Sequence, residues 1–270
     1  MFKILKYSFF DLFRSRWSFV YFFFYLLLGL VLLFLNNDLS NAIITLMNVI
    51  IVLVPLIGTI FGIMYFYNSR EFTELLLAQP IARKHIFLGQ YLGVAISLAL
   101  SLVLGLGIPF IIYGLFESSA IWDFLSLLVV GSFLTFIFTA LSFGIALRFE
   151  NKIKGFGMAI LMWLFLAIIY DGIFLLLLMY FQEYPLEDFA LAASVLNPID
   201  LSRTLILLKL DISALLGYTG AVFKSFFGTT KGSIISFGVL LAWVILPVWG
   251  MLRLASKKIF NRINDKLFRF

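Results

Sequence analysis

Long apolar runs, separated by short polar stretches, dominate the chain from residue 18 onward. A helix that crosses a bilayer needs about 20 predominantly apolar residues, and six runs come close to that length or exceed it. They occupy residues 18–35, 42–66, 86–116, 121–147, 156–181 and 234–252. This pattern predicts an all-α polytopic membrane protein with six transmembrane helices, which together form a membrane domain over residues 18–254.

Residues 1–17 follow a different pattern, in which apolar and charged positions interleave. Five apolar residues recur at helical spacing, while most of the charged residues fall elsewhere on the helical wheel. The five are Phe2, Leu5, Phe9, Leu12 and Phe13. This spacing predicts an amphipathic helix that lies in the membrane interface. The alternative is that these residues simply extend the first span into water.

The composition supports a membrane protein. The 270 residues are 63% hydrophobic and 13% charged, with a mean hydropathy of +1.10, whereas a soluble domain is about half apolar and about a quarter charged. The net charge of +6 does not indicate a nucleic-acid partner, because the basic residues flank the apolar runs, where membrane topology accounts for them. The absence of cysteine excludes disulfides and thiolate metal sites.

Lysine and arginine alternate between the two sides of the predicted bundle. Sixteen of the 20 precede the first span or follow spans two, four and six, and the other four lie in residues 182–233. Positive residues concentrate on the cytoplasmic side of membrane proteins. We therefore expect both termini to be cytoplasmic, including a basic tail at residues 255–270, and residues 182–233 to lie outside.

The outer segment, residues 182–233, contains an apolar stretch that resembles a seventh span. That stretch, residues 201–223, holds Arg203, Lys209 and Asp211, which are costly in hydrocarbon. We therefore predict interfacial or re-entrant helices in this segment. One helix start is visible, with Asn197 as the N-cap, Pro198 at the first helical position and Asp200 near the positive helix end.

A short stretch, NSREFTELLLAQP, joins spans two and three on the predicted cytoplasmic side. Ser69 can cap a helix there, Glu71 and Glu74 suit its first turn, and Pro80 ends it. These signals predict a short helix over residues 69–80.

Apolar residues of this short helix need a surface that buries them. Phe72, Leu75 and Leu76 are expected along one face, and a contiguous exposed apolar patch suggests a partner. The sharper interpretation is a docking element for a soluble cytoplasmic protein. The simpler interpretation is a helix that packs on its own bundle.

The short helix and the order of the elements around it resemble the ABC-2 type exporter permeases. In that family this helix is the coupling helix, which sits in a cleft of a separate ATP-binding subunit. The family usually carries glycine and threonine where this chain has Phe72 and Thr73. The resemblance covers essentially the whole chain and implies an ABC-2 exporter-like fold. It implies that the coupling residues are Ser69, Arg70, Glu71, Phe72, Thr73, Glu74, Leu75, Leu76, Leu77, Pro80 and Arg83.

Two further motifs, IYDGIFLL in span five and LNPIDLSR in the outer segment, are similar to permeases of nitrous oxide reductase maturation transporters. That resemblance implies a homodimer in a bacterial inner membrane, with cytoplasmic ATPase subunits that bind ATP and Mg²⁺. It also implies a periplasmic β-helical copper-binding protein, docked by Asn197, Pro198, Asp200 and Arg203, although Asp200 and Arg203 can equally form an internal pair. The alternative function is an ABC-2 exporter for a lipid, polysaccharide or drug-like substrate.

Candidate chemistry within the chain is sparse. No phosphate-binding Walker A pattern occurs, so ATP has to be bound by another chain. The single histidine, His85, lies in a basic cluster where it meets lipid headgroups. Met158 and Met162 lie one helical turn apart, but they lack a third soft ligand for copper. We therefore expect a non-catalytic subunit with no catalytic residue, cofactor or metal site of its own.

Asp171, beside Tyr170, is the one acidic residue deep in a predicted span, and such a carboxylate is a functional candidate by default. Intramembrane aspartyl proteases also contain Tyr-Asp, but they need a second aspartate that shares a proton. This chain has no second aspartate at that depth. Two interpretations stay open, namely a proton or cation site and a packing role in which Asp171 bonds to backbone or to a tyrosine across the dimer interface.

Overall fold

A computed structural model describes residues 1–13, 16–36, 38–118, 120–181, 187–209 and 230–267, and these residues carry all structural statements below. Side chains are described within these ranges except at 16–18, 187–188, 209, 230–231, 233 and 257–267. The middle of the predicted outer segment, residues 210–229, lies outside the described part of the chain.

The described residues form eleven α-helices. In chain order they are α1 (Phe2–Phe13), α2 (Arg16–Leu35), α3 (Leu39–Asn68), α4 (Arg70–Leu77), α5 (Arg83–Ile112), α6 (Ile121–Arg148), α7 (Lys152–Leu164), α8 (Tyr170–Tyr180), α9 (Glu187–Leu196), α10 (Pro198–Lys209) and α11 (Thr230–Leu267). A 3₁₀ turn at Leu115–Glu117 joins α5 to α6, and a π-helical turn at Phe165–Ile169 joins α7 to α8.

Five of the described helical segments are long and apolar enough to cross a membrane. They are α3, α5, α6, the continuous α7–α8 span Lys152–Tyr180, and Ile234–Ser256 within α11. Helix α2 is apolar over Phe19–Leu35 and is shorter, while α9 and α10 meet at 114° and form a broken span or a re-entrant loop. The predicted all-α polytopic fold class is confirmed.

Two helix boundaries differ from the predicted ones. The third predicted span, 86–116, ends as helix α5 at Ile112, because the chain turns at Gly114, whose φ of +91° lies in the left-handed region that glycine tolerates. The predicted tail, residues 255–270, does not begin a new element. Helix α11 continues through its described residues as one helix to Leu267.

The core of the bundle lies around α3, α5 and α6. In the most apolar 18 residues of α3 and of α5, half of the residues are buried, and in those of α6 the share is 61%. The corresponding share is 6% in the α7–α8 span and 17% in α11. Residues such as Ile50 of α3, Leu98 of α5 and Leu134 of α6 are fully buried in one apolar cluster. The α7–α8 span and α11 therefore lie at the edge of this core and expose most of their apolar surface.

Helix α1 packs against the start of α5 through glycines. Ile4 covers Gly89, and Ser8 covers Gly93 so closely that a Cβ atom on Gly93 would lie 2.7 Å from the Ser8 Cβ. The buried residues of α1 are Ile4, Ser8 and Leu12, while Phe2 is 84% exposed. The predicted apolar side of this helix is therefore divided, with one part against α5 and another part turned outward.

The contact between α1 and α5 generates a stability prediction. Gly93→Ala would place its new Cβ 2.9 Å from the backbone nitrogen of Phe9, and such overpacking costs about 1–3 kcal/mol. This loss outweighs the gain in helix propensity of about 1 kcal/mol. We expect a lower midpoint of thermal unfolding. Unfolding is measured in detergent by intrinsic tryptophan fluorescence.

Gly107→Ala, on the same helix, is the matched control. Among the described residues, a Cβ atom at Gly107 has no neighbour within 4 Å, so we expect an unchanged or slightly higher unfolding midpoint. Equal midpoints for the two variants would contradict the close packing of α1 on α5.

Candidate functional site

The predicted site residues form two groups along the α7–α8 span, one beside its first residue, Lys152, and the other around Asp171, nine residues before its last residue, Tyr180. At its start, the Lys152 Nζ donates to the Asn68 Oδ1 over 3.1 Å, which places this end beside α4. Asp171 lies nineteen residues further along, or about 28 Å at 1.5 Å per residue. That distance is close to the thickness of the hydrocarbon core, about 30 Å. We refer to the positions of the two groups as the α4 end and the α9–α10 end.

Ser69 lies directly before α4, but its side chain does not cap the helix. The Ser69 hydroxyl donates back to the carbonyl of Phe66 over 3.4 Å, and the residue has φ −87° and ψ 12° instead of the extended backbone of a capping serine. The predicted side-chain cap is therefore wrong. Helix α4 ends at Leu77, three residues before the exposed Pro80.

One face of α4 is fixed to the bundle. The ring of Phe72 stacks on Tyr7 of α1 with the ring centroids 4.3 Å apart. The Gln90 Nε2 of α5 donates to the Thr73 Oγ1 over 2.8 Å, and both of these side chains are buried. Contacts with α1 and with α5 therefore hold α4 in place.

The opposite face of α4 is exposed among the residues that the structure describes. Arg70 and Glu74 form an exposed ion pair of 3.0 Å, Glu71 is exposed, and Leu75 is 69% exposed. The three apolar residues predicted along one face differ in burial, because Phe72 and Leu76 are partly buried against the bundle while Leu75 is 69% exposed. We call Arg70, Glu71, Glu74, Leu75 and Ala78 the outer face of α4.

A cleft of about 160 Å³ opens beside α4. Its walls come from α4, from the ends of α3 and α6, from the start of α5 and from α11. Among the predicted coupling residues it is lined by Arg70, Thr73, Glu74, Leu77 and Arg83. Helix α4 is therefore one wall of a wider surface that also includes the link between α6 and α7.

At the α9–α10 end, Arg203 lies between two carboxylates. The Arg203 Nη1 is 2.9 Å from the Asp171 Oδ2 and 3.4 Å from the Asp200 Oδ1. The Asn197 Nδ2 donates to the Asp200 Oδ2 over 3.0 Å. Two groups of residues that the sequence placed in different segments therefore form one polar cluster, which we call the Arg203 cluster.

Asn197 connects this cluster to the π-helical turn of the α7–α8 span. Its Oδ1 accepts from the backbone N–H of Ile199 over 3.1 Å, which is the N-cap that the sequence predicts. Its Nδ2 also donates to the carbonyl of Leu166 over 2.8 Å. Leu166 lies within the π-helical turn, and such turns interrupt the regular α-helical pattern of backbone hydrogen bonds.

Two further hydrogen bonds hold α9. The Tyr170 hydroxyl donates to the carbonyl of Ala193 over 2.7 Å, and the Trp243 Nε1 of α11 donates to the carbonyl of Val195 over 3.0 Å. The corner between α9 and α10 is therefore attached to both the α7–α8 span and α11.

The cluster identifies the partners of the charged residues at this end. Asp171 pairs with Arg203, whereas the packing role considered from the sequence was a bond to backbone or to a tyrosine across the dimer interface. Asn197, Pro198 and Asp200 are buried, and Arg203 keeps 28% of its side chain exposed. Asp200 and Arg203 form the internal pair, and Arg203 is the predicted docking residue that reaches the surface.

Several contacts of the site involve residues that the sequence analysis did not single out. Tyr7 and Gln90 hold α4, and the Tyr67 hydroxyl donates to the carbonyl of Phe149 over 2.7 Å at the same end. A glutamine within an apolar run was the available signal for Gln90. Tyr7 and Tyr67 carry no such signal, because tyrosine is ordinary at membrane interfaces.

Comparisons with known proteins find sequences similar to this chain. The sequence model described as ABC-2 family transporter protein matches residues 10–216. The chain is similar to the probable ABC transporter permease protein NosY of Stutzerimonas stutzeri, with 26% identity over 200 residues, covering 70% of this chain and 67% of that relative. It is also similar to the NosY protein of Pseudomonas aeruginosa, with 27% identity over 149 residues, covering 52% of this chain and about half of that relative, 53%.

The Arg203 cluster generates a second stability prediction. Asp171→Asn keeps the shape of the side chain but removes one of the two carboxylates beside Arg203. The amide oxygen of asparagine can still accept from Arg203, but it lacks the negative charge, and charge-assisted hydrogen bonds are about twice as strong as neutral ones. The loss is reduced because the pair is partly exposed and Asp200 remains. We expect a lower thermal unfolding midpoint for purified Asp171→Asn.

The matched control is Glu74→Gln, which breaks the exposed Arg70–Glu74 pair on α4. An exposed pair at this helical spacing contributes about 0.2–0.5 kcal/mol, so we expect almost no shift of the midpoint. If both variants unfold at the temperature of the parent, the Arg203 cluster does not stabilise the corner.

Proposed function

The chain belongs to the ABC-2 transporter family as a non-catalytic permease subunit, and from this premise we propose that it relays ATP-driven motion across the membrane. In this proposal a cytoplasmic ATPase binds at the α4 end, and a periplasmic partner binds at the α9–α10 end. The observation that carries the proposal is the separation of two built surfaces by the length of one membrane span.

The outer face of α4 is the surface that we assign to the ATPase. A permease of this family works with a separate ATPase, so a docking surface for it has to exist on the chain. Leu75 is exposed among charged residues while Phe72 and Thr73 hold the helix from behind. A helix that is fixed on one face and free on the other suits force transmission, since a loosely held helix would move without moving the bundle.

The positive residues support this orientation. Arg70, Arg83 and Lys84 lie in or beside α4, and Lys152 and Lys154 lie at the start of α7 next to it. Positive residues favour the cytoplasmic side. In the proposal the α4 end is therefore cytoplasmic, and the α9–α10 end faces the periplasm.

Packed helices provide a route between the two ends. The Trp163 Nε1 of α7 donates to the carbonyl of Val52 in the middle of α3 over 3.3 Å, and the α7–α8 span continues to Asp171 and the Arg203 cluster. Close-packed interiors have low compressibility and transmit strain. A displacement of α4 would therefore reach the α9–α10 corner through α3 and the α7–α8 span.

The periplasmic partner that we propose is a β-helical copper-binding protein, with the maturation of the copper centre of nitrous oxide reductase as the purpose. The support is the similarity to the two NosY permeases, together with the resemblance of the IYDGIFLL and LNPIDLSR motifs. Arg203 and the exposed Leu196 beside the cluster are the contacts that we assign to this partner.

We assign a second copy of the chain to the exposed α7–α8 span. Its residues Ile168, Ile173 and Leu176 are exposed in the single chain. Lipid alone can cover such a surface, so the support for a homodimer is the resemblance to dimeric permeases of the family.

The second candidate function is export of a lipid, polysaccharide or drug-like molecule. Family membership alone supports it, because ABC-2 permeases include exporters. It differs in a measurable way, since an exporter substrate stimulates ATP hydrolysis by the assembled complex and no periplasmic protein partner is required.

The docking of the ATPase is tested with Leu75→Asp. An aspartate in the outer face of α4 places a desolvated charge in the proposed interface. A loss of about 1.4 kcal/mol of binding free energy weakens the affinity for the ATPase about tenfold. We expect the amount of ATPase that co-purifies with a tagged permease to fall accordingly.

Phe116→Asp is the control for this substitution. Phe116 is 68% exposed, almost the same as Leu75 at 69%, but it lies beyond the far end of α5. We expect it to leave the ATPase ratio unchanged. Equal losses for the two variants would show that any exposed charge disturbs the complex and would contradict docking at α4.

The identity of the partners is tested by gentle extraction of the tagged native complex and mass spectrometry of the co-purifying proteins. An ATPase together with a periplasmic β-helical copper protein is the expected result. An ATPase alone would favour the exporter function. Recovery of the dimer without any ATPase would contradict the coupling role of α4.

A further inference from the structure

A second, larger cavity lies on the side of the bundle, away from both ends. It has a volume of about 460 Å³ and lies between α5, α6 and α11. Val103 comes from α5, Leu125 and Phe136 mark its two ends on α6, and Leu241 comes from α11. We call it the lateral groove.

The groove offers no recognition group for a polar ligand among its described lining residues. All of them are apolar except Ser132, and the Ser132 hydroxyl donates to the carbonyl of Leu128 within the same helix over 2.8 Å. A polar group placed in the groove would lose its hydrogen bonds to water without gaining others, which is unfavourable in an apolar environment. The chemistry of the lining therefore selects a hydrocarbon.

The length and depth of the groove match one leaflet of a bilayer. From Leu125 to Phe136 helix α6 rises about 16 Å, and half of a hydrocarbon core is about 15 Å. The groove begins one turn from the first residue of α6, Ile121, and Trp122 at that end is 74% exposed. Exposed tryptophan is typical of the boundary between the hydrocarbon and the headgroups.

The groove opens sideways onto the apolar surface that faces lipid in a multi-pass membrane protein. Its floor is buried at Leu128, while Leu125, Val129 and Leu241 on its walls are 42%, 44% and 49% exposed. An empty groove forfeits dispersion contacts. An acyl chain that entered the groove would contact protein on three sides, whereas an acyl chain on the ordinary protein surface contacts it on one.

From this geometry we propose that the lateral groove binds one acyl chain of a membrane lipid, from the leaflet next to the start of α6, and retains it longer than the surrounding lipid. The headgroup of that lipid lies near Trp122. This site is separate from the two surfaces of the proposed function and does not depend on the identity of the ATPase or of the outer partner.

The experiment uses the absence of cysteine from the chain. Val129→Cys is labelled with a fluorophore, and the purified full-length protein is reconstituted into vesicles of phosphatidylcholine with brominated acyl chains, which quench the fluorophore on contact. The protein is then extracted into lipid-free detergent. We expect the label to be quenched in the vesicles and to stay quenched after extraction.

Leu104→Cys carries the control label. Leu104 is 45% exposed on α5 and does not line the groove, and the stacking of Phe110 on Phe124 at 4.4 Å places it at nearly the depth of Val129. We expect this label to be quenched in the vesicles and to recover its full fluorescence after extraction. Equal recovery of both labels would overturn the proposal, because bulk lipid alone would then account for the quenching.

Ser132→Leu, combined with the Val129→Cys label, fills the groove without adding a polar group. We expect the retained quenching to disappear while the unfolding midpoint stays near that of the parent. Retention that survives Ser132→Leu would overturn the proposal. A Val129→Cys label that is not quenched even in the vesicles would also overturn it, since protein and not lipid would then cover the groove.

Discussion

Arg203 lies between Asp171 and Asp200, and the arrangement of one whole end of the bundle depends on that placement. A guanidinium near the edge of the hydrocarbon is costly unless the protein itself neutralises it. One carboxylate comes from the α7–α8 span and the other from α10, so these helices have to meet at one position. Asn197 extends the constraint to Leu166 in the π-helical turn, which ties the irregular part of the span to the corner between α9 and α10.

The opposite end is built on packing instead of charge. Helix α4 is only eight residues long, too short to be stable by itself in water, so its position depends on Phe72 against Tyr7 and on Thr73 with Gln90. Helix α1 in turn depends on glycines of α5, which let the two backbones approach closely. The surface assigned to the ATPase therefore rests on α5 and on the core. This arrangement allows a force on α4 to move the bundle.

Much of the fold could be predicted because the bilayer constrains it strongly. Apolar runs long enough to span hydrocarbon have to be helical, since a helix satisfies its own backbone hydrogen bonds. The helix start at Asn197 was also local, because a cap involves neighbouring residues. The differences from the structure were of two kinds. Ser69 has the right residue type for a cap, but its backbone conformation turns the hydroxyl away. Leu75 was grouped with Phe72, but the bundle partly buries Phe72 and leaves Leu75 exposed.

The sequence by itself determined the all-α polytopic class and the positions of most helices, because apolar length and helical periodicity are properties of contiguous residues. The tertiary structure alone decided that Asp171 meets Arg203, 32 residues away, and that the outer face of α4 carries Leu75. Helical spacing shows which side chains share a side of one helix. It does not show which neighbouring helix covers that side, because this depends on how all the helices pack around a common core.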